Sequence, residues 1–137
     1  MIDVTKIQQA IWEGLSAIEN YTVVDFIEYD SIEPPFIHIG SLYMDDDSVK
    51  NNEGLRVQQY INIYSTYDGK KEVLDMINVV GDAMSNLTID GRNIHVKQSK
   101  ASIVIDKDRF SSIFQRTDRN NNKFYHAVLV FELYINE

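Results

Sequence analysis

The chain has 137 residues, enough for one domain with a real core and too few for a second. Its 13 Lys+Arg against 21 Asp+Glu give a formal charge of -8, which argues against a protein that grips DNA or RNA through its whole surface and leaves room only for local basic patches. The lack of cysteine excludes disulfides, thiolate zinc sites and thiol catalysis. The first residues, Met1 to Gln8, do not place a basic region before an apolar run, and nowhere do ~18 apolar residues follow one another. A soluble chain made in the cytoplasm, with no membrane partner, is therefore expected.

Residues Asp3 to Glu19 read as a helix, because Val4, Ile7, Ile11, Leu15 and Ile18 share one face and Asp3 or Thr5 can cap the first turn. Trp12 lies near the edge of that stripe and is expected to close the core. Val23 to Ile27 has the composition of a strand, and Tyr29 to Pro35 is a loop stiffened by two prolines. Phe36 to Tyr43 follows as a second strand, its start set by Pro35. Met44 to Gly54, with Asp45, Asp46 and Asp47, is polar and too long for a tight hairpin, so it is expected to project from the sheet.

The stretch from Leu55 to Leu87 changes from a period of two to a helical period, as a strand feeding a helix does. Leu55, Val57, Gln59, Ile61 and Ile63 fall on one side of the strand. Arg56, Gln58, Tyr60, Asn62 and Tyr64 fall on the other, which is rich in tyrosine and wettable. On the helix, Val73, Met76, Ile77, Val80, Met84 and Leu87 form one apolar stripe. Gly81 sits inside that helix at a cost of about 1 kcal/mol relative to alanine, which a close approach of helix to sheet would explain. Asp90-Gly91 between short extended pieces signals a two-residue hairpin. Ile94 to Gln98 and Ala101 to Ile105 read as one strand broken or bulged at Ser99-Lys100.

Asp106 to Lys123 is the second long connection. Arg109, Arg116, Arg119, Lys107 and Lys123 make it locally basic, and Phe110, Ile113 and Phe114 are more apolar than a solvated loop needs. It reads as a mobile loop that orders on docking to a protein, with a nucleic-acid contact as the lesser alternative. The last strand, Phe124 to Ile135, is nearly apolar on both sides, as a strand covered on both faces would be. The order predicts an α+β fold, with residues 1–137 as one domain: an antiparallel-dominated sheet, two helices packed on one face, and long projecting loops. Two helices cover one face only, so the second face is expected to meet another sheet layer or another subunit.

Chemistry is sparse. His38, His95 and His126 lie in predicted strands without metal-ligand spacing and read as structural or interface histidines. Adjacent Asp45, Asp46 and Asp47 cannot wrap one cation and read as a solvated acidic loop. No glycine-flanked serine elbow and no phosphate-cradling glycine pattern occurs. The residues point to no enzyme, cofactor or metal.

The chain resembles the tail terminator, or tail-completion, proteins of long-tailed phages and prophages. The resemblance is carried by the opening helix with Ile7, Ile11 and Leu15, by Pro34-Pro35-Phe36-Ile37-His38-Ile39-Gly40, and by the strand Gln58 to Ser65. The helix Lys71 to Leu87 and the closing strand Ala127 to Leu133 complete it. It implies a virion protein assembled in the host cytoplasm as a homohexameric ring on the head-proximal end of the tail. Such a ring stops tail-tube polymerisation and docks head-completion proteins, while DNA passes its channel without specific binding. Tyr60, Tyr64, Arg56, Asp45, Asp46, Asp47, Phe110, Phe114, Arg116 and Arg119 are the candidate interface residues. A head-completion or connector protein, a small ligand-binding α+β module and, more distantly, a metal-dependent hydrolase are the competing readings.

Overall fold

Asp3 starts the first helix. Its carboxylate accepts the Thr5 amide at 3.0 Å and the Thr5 hydroxyl at 2.6 Å, satisfying one of the donors that a first turn leaves open. The computed structural model describes residues 3–26, 34–66, 70–107 and 123–136. Helix α1 (Val4–Ser16) is followed by β1 (Thr22–Val24), β2 (Phe36–Asp46), β3 (Gly54–Ser65) and α2 (Lys71–Ser85). The short strands β4 (Thr88–Ile89) and β5 (Arg92–Asn93) then precede β6 (His95–Lys107) and β7 (Lys123–Asn136). Five strands make one sheet in the order β1-β2-β3-β7-β6. β1 runs parallel to β2, and every other pairing in the sheet is antiparallel.

Both helices bury their stripes on the same side of this sheet. Ile7, Ile11 and Leu15 of α1 and Val73, Met76, Val80 and Met84 of α2 join Ile37, Val57, Ile61, Ile63, Leu129, Phe131 and Leu133 in one core. Each fully buried aliphatic side chain there contributes about 1.5–3 kcal/mol. Ser65 at the end of β3 donates its hydroxyl to Glu72 in the first turn of α2, which fixes where strand gives way to helix. The Asp90-Gly91 turn has φ of 53° and 78°, the pair of positive angles a two-residue hairpin of this kind requires. Among the described residues no helix is long and apolar enough to cross a membrane.

Several expectations need correcting. Trp12 is 40% exposed and does not close the core; it sits about 100° around the helix from Ile11, off the line of Ile7, Ile11 and Leu15. Val4, at the first position of the helix, is exposed as well. Of the two helical glycines the close approach is at Gly14, where a Cβ would collide with the Leu87 side chain, and not at Gly81, whose Cβ would meet only Gln98 Oε1 at an ordinary 3.6 Å. The acidic connection is shorter than the sequence suggested. β2 continues to Asp46 and β3 starts at Gly54, with Asp47 N donating to Gly54 O at 2.9 Å and a bridge between Val49 and Asn52. Asp45 and Asp46 are therefore strand residues of a long hairpin. The expected break in β6 is found as an irregularity between Gln98 and Lys100, where the Ser99 hydroxyl donates to Val130 O at 3.2 Å.

Candidate functional site: the second face of the sheet

Alternation along the strands puts two unlike sets of side chains on the two faces. The face away from the helices carries Arg56, Gln58, Tyr60, Asn62 and Tyr64 from β3, flanked by His126, Val128, Val130, Glu132 and Tyr134 of β7. Phe36, His38, Tyr43 and Asp45 of β2 and His95, Lys97 and Lys100 of β6 extend it to both sides. Among the described residues no second sheet or helix covers this face. Its two ends differ in chemistry.

One end is aromatic and closed. Tyr64 stacks on His126 with ring centroids 4.5 Å apart and planes at 17°, and Phe36 lies 4.7 Å from Tyr64 on its other side. Tyr64 is only 5% exposed. This candidate interface residue thus shows little of its ring at the surface. Asn62 stands beside this stack between two imidazoles, 3.3 Å from His38 Nδ1 and 3.0 Å from His126 Nε2. Burial holds the His38 pKa below the ordinary 6.5, against a weaker upward pull from Asp25. Two of the three histidines therefore converge, through an amide that the sequence did not single out. His95 lies at the opposite end, 5.4 Å from the Tyr134 ring. Among the described residues no group of three His, Asp or Glu side chains is placed to hold a metal ion.

The other end is charged and open. Arg56 pairs with Asp45 at 3.2 Å across the β2–β3 hairpin. Glu132 accepts the Tyr134 hydroxyl at 2.7 Å and the Gln58 amide at 3.4 Å. The Tyr134 hydrogen bond, then that of Gln58, holds the Glu132 carboxyl below its ordinary 4.5. Because the folded pKa is depressed, this interaction stabilises the fold above pH 4.5 and is lost as pH falls through the folded value. Tyr134→Phe is expected to return the Glu132 titration towards 4.5, measured by carboxyl carbon NMR.

Between the ends, Tyr43 and Tyr60 meet edge to face at 5.6 Å, with Tyr43 55% exposed. Asp46 does not join the face. Its carboxylate accepts the Ser48 amide and hydroxyl at 3.0 and 2.6 Å and shapes the hairpin tip. Asp47 lies in the tip as well. Phe110, Phe114, Arg116 and Arg119, with the basic character expected of their loop, lie outside the described residues. The network of Glu132, Tyr134 and Gln58 was missed in the sequence, although Glu132 is the one carboxylate in an otherwise apolar run from Ala127 to Ile135. Tyrosines, an arginine and paired carboxylates on a rigid sheet suit recognition of another protein surface.

A family model described as Tail completion protein gp17 matches residues 13–136. Among solved structures, the fold is similar to a chain of the virion of a native gene transfer agent particle, with a TM-score of 0.70 over 98% of this chain and 97% of that one. At 15% identity that likeness speaks for the fold alone. Comparison with curated proteins finds no match.

Proposed function

This chain belongs to the tail completion protein gp17 family, and from that premise we propose that it caps the head-proximal end of a phage tail tube as a hexameric ring. In this reading the ring stops tube polymerisation and presents the docking surface for the head, so the protein works through contacts and not through catalysis. Its partners are other copies of itself, the tail-tube protein and a head-completion protein, and its place is the virion after assembly in the host cytoplasm. The observation that supports assembly most directly is the charged, open end of the second face, where, among the described residues, no helix or second sheet lies over Tyr43, Tyr60, Arg56 and Glu132. The formal charge of -8 suits a channel through which DNA moves without adhering.

Native mass spectrometry of the full chain, alone and bound to purified tail tubes, tests this reading. A hexamer in either state, with retention on tubes but not on portal or adaptor protein, is the expected result. Retention on portal or adaptor alone would overturn the terminator role in favour of a head-completion protein.

A further inference from the structure

Among the described residues the two long sides of the sheet carry no further strand beyond β6 and the short β1, and they are unlike. β6 is an edge strand of 13 residues, and Lys97, Gln98, Ser99, Lys100 and Ala101 are exposed along it. On the opposite side β1 covers only Phe36, Ile37 and His38 of β2. The outer edge of β2 from Ile39 to Asp46 thus has no strand beside it among the described residues, and Tyr43, Met44, Asp45 and Asp46 are exposed there. An open strand edge presents a row of backbone donors and acceptors that a second strand can pair. One edge carries His95, Lys97 and Lys100; the other carries Asp45, Asp46 and, just beyond, Asp47.

We propose that copies of the chain join head to tail by antiparallel pairing of the β6 edge, His95 to Ala101, with the β2 edge, Ile39 to Asp45, of the next copy. This rests on the ring reading above and names its interface. Three observations carry it. The strand directions fit: β2, β3, β7 and β6 alternate, so adding the β2 of a second copy beside β6 continues the antiparallel order and keeps all helices on one side. The levels fit too, because His95, Tyr134, Arg56 and Asp45 form one row across the sheet, and Lys97, Glu132, Gln58 and Tyr43 form the next. Extending each row into the next copy places Asp45 beside His95 and Tyr43 beside Lys97, basic edge against acidic edge, without axial displacement between neighbours. A ring needs such unlike, mutually complementary surfaces, while two lysine-bearing β6 edges repel each other.

The third observation concerns the helix side. A cleft of about 350 Å³ opens beside β6 between Ile77, Asn78, Asp82, Ser85, Val96 and Gln98, its walls more polar than apolar. Met44, 43% exposed, projects from the β2 edge on this same side of the sheet, in the row of Val57, Leu133 and Val96. The pairing brings the Met44 of one copy to the mouth of the cleft of the next, beside Val96.

The chain has no cysteine, so disulfide trapping is direct. Positions 43 and 97 lie three strand spacings apart within one protomer, roughly 14 Å, beyond the ~7 Å limit on Cα separation for a disulfide. Any bond between them must join two copies. The full chain carrying Lys97→Cys with Tyr43→Cys, or with Asp45→Cys to allow a two-residue shear, is oxidised with diamide and resolved by denaturing electrophoresis beside its native mass. The expected result is a ladder in steps of 15.9 kDa rising to a closed hexamer, with no dimer from Lys97→Cys alone. Multimers that form without this ladder overturn the edge pairing and leave the ring intact. Dimers from Lys97→Cys alone also overturn it, in favour of like-edge pairing. Chains that stay monomeric and unlinked in solution and on tail tubes overturn both readings.

Discussion

Replacing Gln59 with leucine is expected to lower the unfolding free energy by about 2–3 kcal/mol, read as a fall in the urea midpoint by circular dichroism. Gln59 lies on the helix side of β3 and is 2% exposed, a place where leucine would ordinarily be welcome. Its amide nitrogen, however, is 3.1 Å from Gly40 O, 3.2 Å from Ser41 O and 2.8 Å from Tyr60 O. These carbonyls cluster where the β2–β3 register shifts between Ile39 and Leu42, two β2 residues facing one β3 residue. Leucine gains apolar burial but leaves three part-buried carbonyls without their amide donor, at up to about 1–3 kcal/mol each, so the loss outweighs the gain. Gln59→Glu is expected to be worse at neutral pH, since a carboxylate faces three acceptors. That variant's folded carboxyl pKa is raised, so its deficit is smallest below the unfolded value of about 4.3 and grows as pH rises through the folded one. A midpoint unchanged in Gln59→Leu would mean that the bulge holds without its amide brace.

The bulge also shows what the sequence carries and what it does not. Period-two and helical stripes identified both faces of β3, the buried line of α2 and the start of β2 after Pro35, because burial on one face imposes those periods directly. Gln59 was placed correctly on the core side by period alone. What no period reveals is register: that Gly40 and Ser41 share one partner, or that a Cβ at Gly40 would come within 2.9 Å of Asn62 Nδ2. The Asn62 bridge between His38 and His126 has the same origin, since three residues from three strands meet only through pairings distant in sequence. The length of the acidic hairpin was misjudged because Asp45 and Asp46 disfavour strands by propensity. The pairing with Arg56 and Leu55 overrides that preference. The apolar character of β7 on both sides was legible, but its meaning was divided. Ala127, Leu129, Phe131 and Leu133 serve the core, whereas Val128, Val130, Glu132 and Tyr134 belong to the second face.

Tyr60 and Tyr64, equivalent by alternation, are expected to respond oppositely to the same substitution. Tyr64→Asp places a carboxylate where the ring of Tyr64 is 5% exposed between Phe36 and His126. The lost aromatic packing and the desolvated charge together cost on the order of 5 kcal/mol or more, comparable to the 5–15 kcal/mol that holds a typical domain together. The variant should therefore be largely unfolded by circular dichroism, while Tyr64→Phe, which keeps the stack, should fold. Tyr60 is half-buried and leans edge-on against the exposed Tyr43. Tyr60→Asp is expected to cost about 1 kcal/mol and to leave a folded monomer. Its effect should fall on assembly: Tyr43 sits on the outer edge of β2, and without the Tyr60 ring behind it that edge loses its aromatic support and gains a like charge near Asp45. A folded Tyr60→Asp protein with the native mass of a monomer would place Tyr60 at the interface. A folded variant with unchanged mass would remove it, and an unfolded one would make it a core residue like its neighbour.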